Sequence, residues 1–125
     1  MKKKIILTDN APAPIGPYSQ AVEANGFLFC SGVIPLDPKT GLVVGTTVED
    51  QARQVMKNIE AVLTKAGRGF GDVVKTTIFL QNMADFPKVN EIYGAHFKSE
   101  PPARSTVAVA GLPKGVLVEI EVLAV

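Results

Sequence analysis

The chain of 125 residues contains no tryptophan, one cysteine and one histidine. Cys30 alone cannot form an intrachain disulfide, and an unpaired thiol suits a reducing compartment. His96 beside a single thiol is too small a nitrogen and sulfur set for a conventional zinc site, and it offers no partner set for a serine-hydrolase triad. Charge of one sign is missing too. Lys+Arg number 13 against 12 Asp+Glu, so no whole-molecule field draws in nucleic acid or an anionic membrane. Long hydrophobic runs are absent. The apolar stretch behind MKKK extends only from Ile5 to Leu7 before Thr8 and Asp9, too short for a secretory core. Nothing approaches the ~20 apolar residues that span a bilayer. The expectation is a soluble cytoplasmic protein.

What is present describes one globular domain, residues 1–125, with 46% hydrophobic and 20% charged residues. Ile5 to Leu7 reads as a short strand, and NAPAPIGPYSQ, with its prolines, as a loop held partly extended. Ala21 to Ala24 and Phe27 to Gly32 flank Asn25-Gly26, a strong hairpin signal. Val48 to Ala66 places Ala52, Val55, Met56, Ile59, Val62, Leu63 and Ala66 on one helical face. Thr46 and Glu49 match a capping box, and Gly67 supplies the stop; GRGFG therefore reads as a helix end and turn, not a phosphate cradle. Asp72 to Leu80 suits a strand. A second helix is expected from about Phe86 to Lys98 with Asp85 as N-cap, its side lined by Phe86, Val89, Tyr93 and Phe97, with His96 on its surface. Strands Ala103 to Ala110 and Val116 to Ala124 close the chain.

The order β-β-β-α-β-α-β-β gives an α+β fold. Each helix is long enough for a parallel crossover, and two crossovers of one hand put both helices on one face of a mixed six-stranded sheet. In the last strand Val116, Val118, Ile120 and Val122 form the helix-facing set, which turns Glu119 and Glu121 to the open face. In the strand before it, the valine-rich set Ser105, Val107 and Val109 is assigned to the helices and Arg104 and Thr106 to the open face. Polar alternation on a half-buried sheet is ordinary and by itself implies only a wet surface. Leu117, Leu123 and Phe79 make this face too apolar for that, and point to subunit burial around a pocket. Cys30, alternating with Ser31, is expected to face the helices as a buried thiol.

The segments APAPIGPYSQAV, FCSGVIPLDPKTG, DQARQVMKNIEAVL, VVKTTIFLQNMADFPKVNEIY, PPARSTV and LPKGVLVEIE occur in order from about Ile6 to Val125. Together they resemble the Rid family of reactive-intermediate deaminases, of the RidA or YjgF type. The resemblance implies a chorismate-mutase-like fold and a homotrimer whose open sheet faces form a barrel-like core, with clefts between subunits. It implies hydrolysis of 2-imino acids and their enamine tautomers, such as 2-aminoacrylate and 2-aminocrotonate, to 2-keto acids and ammonia. It also implies a link to the pyridoxal-phosphate dehydratases that release these intermediates, and no metal or organic cofactor.

Carried over position by position, the family site falls on Tyr18, Ser31, Gly32, Asn90, Arg104, Thr106 and Glu119. The resemblance makes Arg104 the planar fork for the substrate carboxylate and Glu119 the group that activates water and returns a proton. Tyr18 and Ser31 are expected at the nitrogen, and Gly32 allows close approach. Some members carry cysteine where this chain has Thr106, so thiol catalysis there is excluded. Taken alone, Tyr18 also fits a loop-packing aromatic, and Asn90 a cap for a neighbouring loop. Two other functions compete. One is a keto-acid-binding regulatory module without turnover; the other is an RNA-directed role, which the near-neutral charge and sparse aromatics support weakly.

Overall fold

Asn25 and Gly26 both adopt positive φ, 54° and 83°, the geometry of the hairpin turn that their sequence signals. They join β2 (Ala21–Ala24) to β3 (Phe27–Cys30) in a computed structural model that describes residues 2–125. The remaining elements are β1 (Lys4–Ile6), α1 (Val48–Lys65), β4 (Val73–Leu80), α2 (Phe86–Gly94), β5 (Ala103–Ala108) and β6 (Val118–Ala124). The six strands form one mixed sheet in the order β1-β2-β3-β6-β4-β5. Neighbours are antiparallel except β4 and β5, which run parallel across the α2 crossover. The inferred element order is correct, and β6 enters between the two halves.

The face of α1 foreseen from its spacing is buried: Ala52, Val55, Met56, Ile59, Val62 and Leu63 lie against the sheet set Leu28, Val118, Ile120 and Val122. Full burial of the larger ones, Val55, Met56, Ile59, Val62 and Leu63, contributes about 1.5–3 kcal/mol each. The cap is Thr47, not Thr46: the Thr47 hydroxyl accepts from the Asp50 amide at 3.2 Å. Gly45, at φ 82°, brings the chain so close to Asp50 that a Cβ there would stand 2.6 Å from Asp50 Cβ, which selects the second of two adjacent threonines. Beyond α1, Gly67 turns left-handed and the Arg68 amide returns to Leu63 O, the expected stop.

The second helix differs more. It ends at Gly94, short of Lys98, and His96 lies in the turn that follows, its ring 4.7 Å from that of Phe70. Glycine weakens the helix there, and farther on Glu100 adopts a left-handed φ of 47°. Asp85 occupies the N-cap position of α2 as expected, but its side chain makes no capping hydrogen bond. Asn82 instead caps a preceding single turn, accepting from the Ala84 amide.

Two faces follow from the register. The set Ile120, Val122, Ile78, Thr76 and Leu28 is helix-covered and buried. On the other face, Ile5, Phe27, Phe29 and Val107 remain 39–50% exposed beside Glu121 and Lys75. Cys30 packs on the helix side, and burial pushes its thiol up to about 12. No helix is long and apolar enough to cross a membrane among the described residues.

Candidate active site

Arg104 corrects the sequence reading. It pairs with Thr76 and Thr106 pairs with Ile78, and both partners belong to the buried, helix-covered set. In a parallel ladder, paired residues point to the same side. Arg104 and Thr106 therefore stand on the helix side, and Ser105 and Val107 on the open face. The valine criterion fails because β5 is an edge strand that α2 covers incompletely, so neither of its sides is fully buried. Glu119, paired with Phe79, does point to the open face as expected.

The inferred residues therefore fall into two groups. The first gathers around a bulge. Phe29 opposes Leu123 and Val33 opposes Ile120, so four steps along one strand face three along the other. The extra residue throws Ser31 and Gly32 over β6, where Glu119 lies against Gly32. A Cβ at position 32 would reach 2.8 Å from Glu119 Cδ and collide with Oε2, so this approach requires glycine. Tyr18, Ser31 and Gly32 line a narrow cavity of about 60 Å³ with Pro12, Ile15 and Gln20. Buried Gln20 shapes that wall by donating to the carbonyls of Thr8, Ala11 and Pro12 and accepting from the Thr8 amide.

Donor and acceptor directions in this group are defined. Ser31 Oγ donates to Ser19 O at 2.6 Å, so its lone pairs are left to accept. The Tyr18 hydroxyl accepts from the Ile15 amide at 3.3 Å and keeps its proton to donate. Desolvation, followed by the nearby charge of Glu121, raises the Glu119 carboxyl above its ordinary range. No protein donor bonds that carboxylate among the described residues.

The second group surrounds Arg104. Its Nη1 donates to Asn90 Oδ1 at 2.6 Å, and the guanidinium lies over the rings of Phe86 and Tyr93, 5.1 and 5.2 Å from their centroids. Among the described residues, Nε and Nη2 have no protein acceptor, so one edge of the fork is free. Arg104 itself lines a depression of about 370 Å³ with Asn90, Tyr93, Phe97, Pro101 and Pro102. Thr106 Oγ1 is buried without a hydrogen-bond partner. The sequence reading had Phe86 and Tyr93 only as helix lining. Their spacing around Asn90 (i, i+4, i+7), with an arginine soon after α2, was the available signal.

A family model described as Endoribonuclease L-PSP matches residues 8–125. A mouse 2-iminobutanoate/2-iminopropanoate deaminase is 48% identical over 123 residues, covering 98% of this chain and 91% of that protein. A crystal structure of a conserved Rid family protein, YyfA from Yersinia pestis, is 55% identical and superposes with a TM-score of 0.96, 98% of each chain being covered. The chain belongs to the Rid (L-PSP) family. Escherichia coli TdcF with bound serine is also similar, at 44% identity over 98% of each chain and a TM-score of 0.93. Rid relatives, the mouse protein among them, are named as deaminases of reactive intermediates, which supports the same general role here.

Proposed function

We propose that this Rid protein hydrolyses 2-imino acids and their enamine tautomers, released by pyridoxal-phosphate dehydratases, to 2-keto acids and ammonia. The observation that carries the reading is the free Nε–Nη2 edge of Arg104, held on α2 with one donor already committed to Asn90. Such an edge fits a carboxylate in two parallel hydrogen bonds, which a lysine cannot reproduce. A bound serine in TdcF is a small carboxylate of the same size class.

Arg104 holds the substrate carboxylate while Asn90 fixes the fork and Thr106 closes the wall beside it. Glu119 takes a proton from water as the oxygen bonds to C2 and the C=N π pair moves to nitrogen. The same carboxyl delivers that proton to nitrogen, giving a carbinolamine. It then takes the hydroxyl proton and passes it to nitrogen as the C–N bond pair leaves with the amine and the O–H pair becomes the C2 carbonyl, releasing ammonia. Tyr18 donates to the nitrogen, Ser31 accepts from its N–H, and Gly32 admits substrate beside Glu119. Holding both partners makes the water attack nearly unimolecular. In this scheme the chain works without a metal or organic cofactor, in the cytoplasm.

One chain cannot bring these parts to one small molecule. β5 and β6 are separated by β4, and Arg104 and Glu119 are offset by three residues along it, a separation of roughly 14 Å through the sheet. The proposed cleft therefore takes Arg104, Asn90 and Thr106 from one copy and Tyr18, Ser31, Gly32 and Glu119 from the next. The uncovered apolar face supports a homotrimer with a barrel-like, chorismate-mutase-like core. The test supplies the imine with a threonine dehydratase and follows its loss by semicarbazide trapping. Accelerated loss is expected; an unchanged decay rate rejects the proposal.

A further inference from the structure

Arg104 is exposed, yet its guanidinium is held on three sides by one helix. Phe86, Asn90 and Tyr93 recur at helical spacing, so α2 presents ring, amide and ring in a row toward β5. The guanidinium carbon lies 5.1 Å from the Phe86 centroid and 5.2 Å from the Tyr93 centroid, so it meets both rings at once. The Tyr93 ring is itself anchored. Its hydroxyl lies 2.7 Å from Thr76 Oγ1 inside the core, and Thr76 is the residue that pairs with Arg104 across β4 and β5. Phe97 packs against it, 4.7 Å away between centroids.

We propose that Phe86 and Tyr93 are positioning residues for Arg104: a two-ring bracket, fixed to the core through Thr76, that holds the guanidinium plane and turns its free edge outward. A free arginine samples many rotamers and loses that freedom when it binds. The bracket makes this loss before ligand arrives. A planar cation over ring faces is stabilised by the ring quadrupole, which an aliphatic side chain of similar volume lacks. Asn90 fixes rotation about the remaining axis. The functional consequence rests on the deaminase reading; the bracket itself does not.

The experiment compares ring-removing variants, Phe86→Leu and Tyr93→Leu, with ring-keeping ones, Phe86→Tyr and Tyr93→Phe, in the full-length protein. Two quantities are read: the NMR order parameter of Arg104 Nε–Hε, and affinity for 2-oxobutanoate as a carboxylate probe. Removing a ring is expected to lower the order parameter and weaken the probe about two- to fivefold. Phe86→Tyr is expected to retain both, and Tyr93→Phe, which keeps the ring but loses its tie to Thr76, to lose less than Tyr93→Leu. In an Arg104→Met background, which leaves no cation for the rings to hold, Phe86→Leu is expected to add no further loss. Phe86 is only partly buried, so its pair decides if Tyr93→Leu does not fold. Unchanged order after ring loss, or equal losses from ring-keeping variants, overturns the bracket. A wild-type protein that neither binds 2-oxobutanoate nor consumes the imine overturns the deaminase reading instead, and Arg104 order still decides on the bracket.

Discussion

Arg104 and Glu119 stand on opposite faces of one sheet, with β4 between their strands. If both serve one substrate, each active cleft combines two copies. Arg104→Ala alone is expected to lower kcat/KM on the order of 100-fold, the loss of a ~2–3 kcal/mol charge-assisted contact. Mixing Arg104→Ala and Glu119→Gln subunits by refolding is then expected to restore about one quarter of parental activity, because a random ring pairs an intact fork with an intact acid in that fraction of clefts. An intrachain site predicts no recovery.

In the proposed mechanism Glu119 links activity to pH. Burial raises its folded pKa above the ordinary 4.5, so its contribution to stability is complete below that value and is lost as pH rises through the higher folded value. Glu119→Gln removes the penalty on the charged form. The variant is expected to melt higher than the parent at pH 7, the gap closing as pH falls to about 4. Parental turnover is expected to rise with pH across the same raised titration. Thermal melts and a pH–rate profile check both.

Gly32→Ala tests the close approach beside that carboxylate. The added Cβ displaces the Glu119 side chain, not backbone. Turnover is therefore expected to fall at least tenfold, with a melting temperature close to parental. Equal activity would show that Glu119 works from another rotamer.

Thr106 carries a buried hydroxyl without a partner. Removing such a group while keeping its shape relieves a desolvation cost of about 1–3 kcal/mol. Thr106→Val is expected to be at least as stable as the parent in denaturant titration, with kcat/KM reduced less than tenfold. A large loss of turnover would show that substrate completes the hydroxyl.

Cys30 is expected to resist iodoacetamide at pH 8 in the folded protein and react on unfolding, since burial holds its thiol at about 12 against an ordinary 9.0. Its stabilising contribution as a neutral thiol is present below pH 9 and lost as pH rises toward 12. Mass spectrometry of the alkylated chain measures this.

The elements were legible where local chemistry and packing agree. The α1 face follows from a period near 3.6, the β2–β3 turn from Asn25-Gly26, and the inward set of β6 from the cost of burying Glu119 and Glu121. Alternation in β5 separated Arg104 from Val107 correctly but could not say which set turns inward. On an edge strand that neither layer covers fully, valine content carries no such information. The choice of Thr47 over the expected Thr46 as cap was also beyond local reading, because the turn at Gly45 sets where the helix begins.

The chain's own order of residues determined the eight elements, the buried stripe of α1, the isolated thiol and the identities of the polar groups, since each depends on neighbours within a few positions. Only the tertiary structure decided that Ser31 and Gly32 lie over Glu119 and that Arg104 belongs to α2 and not to the carboxylate's face. Those relations are set by ladder register and a one-residue bulge between strands distant in sequence, and shifting such a register by one residue exchanges the two faces of a strand.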